Sequence, residues 1–193
     1  MKKLILASGS PRRKELLEQI GLDFEIIPAK GEEIISSTFP RKVVEELSFQ
    51  KASEIASLES FCNTGDIILG SDTVVALKDR IMGKPKNAED AFTMLKNLQG
   101  KTHTVYTGVT FIVTNTDPEI ITFSEATHVS MYPMSDSEID AYIASGEPMD
   151  KAGAYAIQGK CAAYISKIEG EYSTVVGLPV ARVYQELKAL LRQ

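Results

Sequence analysis

The chain has 193 residues, of which 44% are hydrophobic and 24% charged, proportions that fit a soluble globular protein and exclude a disordered, collagen-like or disulfide-stapled one. A net charge of −5 leaves no broad basic surface for nucleic acid, and 7% aromatics without Trp argue against a base-stacking platform for single strands. Cys62 and Cys161 have neither CxxC spacing nor a nearby His, which indicates free cytosolic thiols rather than a disulfide framework or a zinc ribbon.

Leu4 to Ala7 reads as a strand, because the apolar run after Lys2 and Lys3 is shorter than the roughly 7–15 residues of a secretory signal. No apolar stretch approaches the roughly 20 residues that span a bilayer. The loop Ser8-Gly9-Ser10-Pro11 then opens a helix, with Ser10 as N-cap, Pro11 in the first turn, Leu16, Leu17 and Ile20 on the apolar face and Gly21 as the stop. Phe24 to Pro28 predicts a second strand, Gly31-Glu32-Glu33 the loop behind it, and Pro40 to Leu58 a long helix. Asp66 to Leu77 is β-rich and reads as broken at Gly70-Ser71-Asp72-Thr73, ahead of a turn at Lys78-Asp79-Arg80.

Asn87 caps a further helix that Gly100 ends, and Thr102 to Thr114 with Ile120 to Met131 predict a long hairpin. Ser135 and Glu138 have the spacing of a capping box, and their helix stops at Gly146. After an irregular stretch, Cys161 to Ile168 and Tyr172 to Val176 read as strands, and Pro179 opens a last helix ending near Arg192. Strands that first alternate with helices and then pair directly predict an α/β fold: a mixed β-sheet flanked by helices, in one domain over 1–193.

Arg12, Arg13 and Lys14 occupy the first turn of the first helix, where the macrodipole disfavours cations. They are either solvated or compensated by a phosphate at the mouth of the Ser8-Gly9-Ser10 loop. In the long helix, Val44, Leu47, Ile55 and Leu58 fall within about 40° of Lys51 at 100° per residue. A lysine in the middle of an apolar stripe must snorkel out, pair with a carboxylate or reach an anion. Asp72 follows an apolar run, where an open α/β sheet offers side chains to a crevice at its strand ends, and Gly70 before it would let a ligand approach; an Asx-turn is the plainer role. Glu32-Glu33, Lys84 and Asp150-Lys151 add charges in loops. His103 and His128 fall on the hairpin, where cross-strand or solvent-facing roles are expected and a His-dependent triad is not. Without a P-loop or a zinc motif, there remains hard-cation chemistry, in which carboxylates hold Mg²⁺ or Mn²⁺ and Arg or Lys neutralise phosphate oxygens.

Read together, Ser8-Gly9-Ser10-Pro11-Arg12-Arg13, Gly70-Ser71-Asp72-Thr73, Gly83-Lys84-Pro85, Asp150 to Gly159 and Val176-Gly177-Leu178-Pro179 closely resemble the Maf family, in the same order and over essentially the whole chain. The resemblance implies a cytoplasmic nucleoside triphosphate pyrophosphatase that needs a divalent metal. Its fold would have two lobes around a nucleotide-binding cleft, similar to the inosine triphosphate pyrophosphatase-like fold. By position, Asp72 resembles the family's catalytic proton acceptor, and Arg12, Thr73 and Gln158 its base-specificity residues. Ser8, Arg13, Lys51 and Lys84 resemble its phosphate-binding groups, Asp150 and Lys151 further cleft residues, and Glu33 (or its neighbour Glu32) with Asp72 the metal-facing carboxylates. Arg, Thr and Gln at the three specificity positions are those of the subfamily acting on dTTP and UTP. The implied partner is a nucleoside triphosphate, with a homodimer left open and neither nucleic acid nor membrane involved. A nucleotide-binding regulator of septum formation and a house-cleaning enzyme for ITP or XTP are the alternatives.

Overall fold

The computed structural model describes residues 2–78 and 80–191. Strand β1 (Leu4–Leu6) is buried throughout, as its unbroken apolar run requires, and pairs in parallel with both β2 (Glu25–Ile26) and β3 (Ile67–Leu77). Strand β4 (Arg80–Met82) folds back antiparallel on the end of β3. With β5 (Thr102–Val113), β6 (Glu119–Met131) and β7 (Ile165–Glu169), the described residues form a seven-stranded mixed sheet in the order β2-β1-β3-β5-β6-β7, with β4 beside β3. The expected α/β fold with a mixed sheet is therefore present.

The chain divides into two compact units, one made of Met1–Asp72, Thr107–Glu125 and Gly177–Gln193, the other of Thr73–Tyr106 and Ala126–Val176. In the first, Ile5, Ala7, Ile68 and Ile112 of the sheet region pack with Ala52 and Ile55 of helix α2 (Pro40–Ala56) and with Phe61. Helix α2 lies directly on the strands because two glycines leave room for its backbone. A Cβ on Gly108 of β5 would come 2.1 Å from the Val44 carbonyl oxygen, and one on Gly70 of β3 would come 2.2 Å from that of Ser48. The hydroxyl of buried Ser48 is satisfied by Thr110 Oγ1 at 2.9 Å, which in turn meets Thr122 at 3.0 Å. Helix α1 (Pro11–Gln19) buries Leu16 and Leu17.

In the second unit, helices α3 (Ala88–Leu98) and α4 (Asp136–Ala144) pack together through faces that include Leu95, Leu98 and Ile139. Both begin as their cap signals predict: the Asn87 side chain accepts the Asp90 N–H at 2.9 Å, and Ser135 with Glu138 closes a reciprocal capping box.

Several expectations are corrected. Gly70-Ser71-Asp72-Thr73 does not interrupt the β-rich stretch; β3 runs through it, and Gly70 makes room for α2 rather than for a ligand. Tyr172–Val176, rich in β-branched residues, is a short helix α5 instead; the Glu171 carbonyl just before it accepts the Thr174 N–H and also the Thr127 hydroxyl of β6. Residues Lys160–Tyr164 form a 3₁₀ turn, so only Ile165–Glu169 of that segment is a strand, and β2 is shorter than the Phe24 to Pro28 expected. The last helix, α6, spans Val180–Leu190; Arg192, and Asp79 of the expected turn, lie outside the described residues. No described helix is long and apolar enough to cross a membrane.

Candidate active site

The alternation of side chains along β3 places Asp72 on the same face as Gly70. Since α2 covers Gly70 with Ser48 and Ala52, Lys51, the residue before Ala52, reaches Asp72: Lys51 Nζ lies 2.5 Å from Asp72 Oδ1. The same ammonium lies 2.8 Å from Glu33 Oε1. Of the three options left open, snorkelling to water, pairing with a carboxylate and reaching an anion, Lys51 takes the second, and Glu33 is the member of the Glu32-Glu33 pair that meets it. The Lys51 and Asp72 side chains are only 20% and 13% exposed, so their attraction is less screened than that of a surface pair. Asp72 lies inside the eleven-residue β3, not at a strand end as its sequence context suggested.

Ser71, on the opposite face of β3, donates to the carbonyl oxygen of Gly177 at 3.3 Å. That carbonyl also accepts from Arg13 Nε at 2.9 Å, and Arg13 Nη1 donates to Ser8 Oγ at 2.9 Å. The Arg13 guanidinium is thus held on two sides. Burial lowers its proton affinity, the negative charge of Asp72 opposes that shift, Arg12 adds to it, and Glu33 opposes it; a guanidinium remains cationic at neutral pH. Ser10 uses no side-chain atom to cap α1, and Lys14 turns to Glu18 at 3.5 Å. Ser8, Arg12, Arg13, Glu33, Lys51 and Asp72 therefore all belong to the first unit, and Ser71 and Gly177 join them as supports that the sequence reading left without a role.

Thr73, Lys84, Asp150, Lys151 and Gln158 belong to the second unit. Lys84 is exposed, and the loop that carries it is tied to the next motif by the Gly153 N–H, which donates to the Gly83 carbonyl at 3.0 Å. Lys151 pairs with Asp150. Gln158 is exposed on a segment with two anchors: the Ala156 N–H donates to Tyr142 Oη at 3.1 Å, and the Lys160 N–H to Glu147 Oε2 at 3.1 Å. Tyr142 itself donates to Glu147 Oε1 at 2.8 Å. Tyr155 packs edge-on against His103, with its hydroxyl 2.8 Å from His103 Nε2. His103 is therefore buried, not cross-strand or solvent-facing, whereas His128 does meet Thr104 across the hairpin at 3.0 Å. Tyr142 and Glu147 are not singled out by the sequence, and Tyr155 only as part of the Asp150 to Gly159 motif, because their partners come from other elements.

Both cysteines are unpaired, Cys62 exposed and Cys161 buried. Burial pushes the Cys161 thiol up to about 12, so it is no nucleophile at neutral pH.

A chain from Agathobacter rectalis named dTTP/UTP pyrophosphatase is 54% identical over 201 residues, covering 98% of each chain. One of the same name from Lachnoclostridium phytofermentans is 52% identical over 190 residues, covering 97% of this chain and 95% of that one. Among solved structures, a nucleoside-triphosphatase / dITP/XTP pyrophosphatase from Mycobacterium abscessus aligns over 68% of this chain and 75% of its own, with 14% identity and a TM-score of 0.40. The family described as Maf-like protein matches residues 3–190, which take in all five motifs and every residue of the cluster around Lys51, and the chain belongs to the Maf family.

Proposed function

We propose that the chain is a cytoplasmic nucleoside triphosphate pyrophosphatase that converts dTTP and UTP to the nucleoside monophosphate and diphosphate. One observation carries this reading: a single ammonium, Lys51, bridges two carboxylates, Glu33 and Asp72, with the guanidinium of Arg13 anchored close enough to feel both. Paired carboxylates supply a base and hard oxygen ligands, and fixed cations stabilise the charge that develops on phosphate oxygens. The name carried by relatives at 52–54% identity supports the same substrates, and unpaired cysteines fit a reducing compartment.

A divalent cation fits the donor chemistry here. Mg²⁺ is commonly held by one or two carboxylates together with substrate phosphates, and among the described residues no three acidic, His or Cys side chains form a group that could hold a metal alone. Glu33 and Asp72 would hold Mg²⁺ or Mn²⁺, which when bound neutralises triphosphate charge. The remaining chemistry belongs to the chain. Arg13 is oriented in advance by Ser8 and Gly177, so little ordering is left to do when a phosphate arrives. Arg12, Arg13, Lys51 and Lys84 draw off negative charge as the α–β anhydride bond breaks, and Asp72 takes the proton of the attacking water. Arg12, Thr73 and Gln158 are assigned to base choice, and Asp150 and Lys151 to the polar surroundings of the nucleotide.

The experiment is pyrophosphate release from dTTP, UTP, CTP, ITP and XTP with Mg²⁺ or Mn²⁺, by the native chain and by Asp72→Asn. The native chain should favour dTTP and UTP. The variant should unfold at a similar temperature and lose at least about 100-fold in kcat, the usual scale for a general base. Near-native turnover in Asp72→Asn would remove the catalytic assignment, and a preference for ITP or XTP would remove the base assignment.

A further inference from the structure

Glu33 lies on an irregular segment, not on a helix or strand. Its neighbours Ile34 and Ile35 are 68% and 54% exposed, so apolar burial does not hold this segment in place. Its ion pair with Lys51 is half in water on the Glu33 side and, like other exposed pairs, too weak to do so alone.

Three side chains of α2, spaced four residues apart, hold the backbone instead. Glu54 accepts two consecutive N–H groups, of Lys30 at 2.8 Å and of Gly31 at 2.9 Å. Gln50 accepts the Ile34 N–H at 2.9 Å and donates to the Ile34 carbonyl at 2.5 Å. Glu46 accepts from the Ser36 N–H at 3.0 Å and from its hydroxyl at 2.7 Å. Residues four apart share one helix face, so the segment runs along α2 as a strap, antiparallel to it. The approach is close: a Cβ on Gly31 would lie 2.9 Å from Glu54 Oε2. The two amide donors also hold the Glu54 carboxyl below the usual carboxylate range, so it stays an acceptor at neutral pH.

The anchors at Gly31 and Ile34 bracket Glu33, and Gln50 adjoins Lys51 on the helix. We propose that Gln50 and Glu54 are positioning residues, which fix the strap on either side of Glu33 and so set its carboxylate against Lys51. The proposal rests on Glu33 acting in the reaction as given above.

The test uses Gln50→Ala, Glu54→Gln, Glu33→Gln and the double variant Glu33→Gln/Gln50→Ala in the full chain. In nucleotide-free protein, amide hydrogen exchange should quicken by at least about tenfold at Lys30 and Gly31 in Glu54→Gln and at Ile34 in Gln50→Ala, with global unfolding little changed, as expected for a local opening. With dTTP and Mg²⁺, both variants should lose about tenfold in kcat with little change in KM, the signature of a misplaced group rather than lost ground-state binding. The double variant should be no slower than Glu33→Gln, because Gln50 acts through Glu33. Unchanged exchange, normal kcat in loosened variants, or additive losses in the double variant would each overturn the proposal. Full activity in Glu33→Gln alone would instead overturn the role of Glu33, and the proposal with it, and that outcome is read from the single variant.

Discussion

Lys51 Nζ lies 2.5 Å from Asp72 Oδ1, and two residues earlier in β3 the missing side chain of Gly70 sets that distance. A Cβ at Gly70 would meet the backbone oxygen of Ser48 at 2.2 Å and the Ala52 nitrogen at 2.8 Å, contacts that no rotamer change relieves. Gly70→Ala should therefore push α2 off the sheet, costing about 1–3 kcal/mol as overpacked sites do, and should carry Lys51 away from Asp72. Urea denaturation and dTTP turnover measure the two effects. Native stability in this variant would show that α2 tolerates the extra methyl group and that its seat does not depend on Gly70.

Lys51→Met tests the second half of that geometry. From the apolar stripe alone, methionine would complete the buried face and stability would hold or rise. The ion pairs reverse the sign, because methionine leaves the mostly buried Asp72 facing Glu33 without its counter-charge. A loss of about 1–3 kcal/mol is expected, on the scale of an unsatisfied buried polar group. Adding Asp72→Asn to Lys51→Met should recover part of it. Chemical denaturation of the two single variants and the double variant gives the coupling, and a Lys51→Met chain as stable as the native one would return Lys51 to the role of a snorkelling residue.

Local signals in the sequence carried far. Asn87 with Asp90, and Ser135 with Glu138, mark helix starts because cap partners lie within three residues of each other. The position of Lys51 in its stripe was legible because helix geometry is fixed. What sequence order did not reveal was which partner a tertiary contact supplies. Gly70 looked like a ligand-facing gap because nothing local shows that α2 arrives there, and Tyr172–Val176 looked like a strand because β-branched residues favour one only where a neighbouring strand is available. The spacing of Glu46, Gln50 and Glu54 was readable as one helix face, but not as a set of anchors for the segment that carries Glu33.

The buried His103 predicts a stability window in acid. Burial draws its pKa from 6.5 down to about 4. Between these values the unfolded chain binds a proton that the folded chain does not, so stability falls as pH drops through this range and is complete above 6.5. The gap corresponds to about 3 kcal/mol. Thermal unfolding followed from pH 7.5 to 4.5 should show a shallower decline in His103→Asn than in the native chain, although the variant starts lower through its altered contact with Tyr155. Parallel curves would mean that His103 becomes protonated without unfolding.

Base choice is the sharpest test of the second unit. The anchors at Ala156 and Lys160 present Gln158 with its side chain exposed, and a primary amide offers both a donor and an acceptor to the edge of a base. Gln158→Glu keeps the shape but is acceptor-only, so a pyrimidine carbonyl would face a second acceptor with nothing between them. Hydrogen-bond readout discriminates strongly because mismatch leaves groups unpaired, so kcat/KM for dTTP and UTP should fall by at least about 100-fold while ITP, the poorer substrate under the proposed assignment, should lose much less. The cations Arg13, Lys51 and Lys84 are assigned to phosphates shared by every nucleotide and are untouched by this change. Kinetics on dTTP, UTP, CTP and ITP separate the outcomes: an equal fall across all four would mean that Gln158 does not read the base, and the pyrimidine assignment would then rest on Arg12 and Thr73 alone.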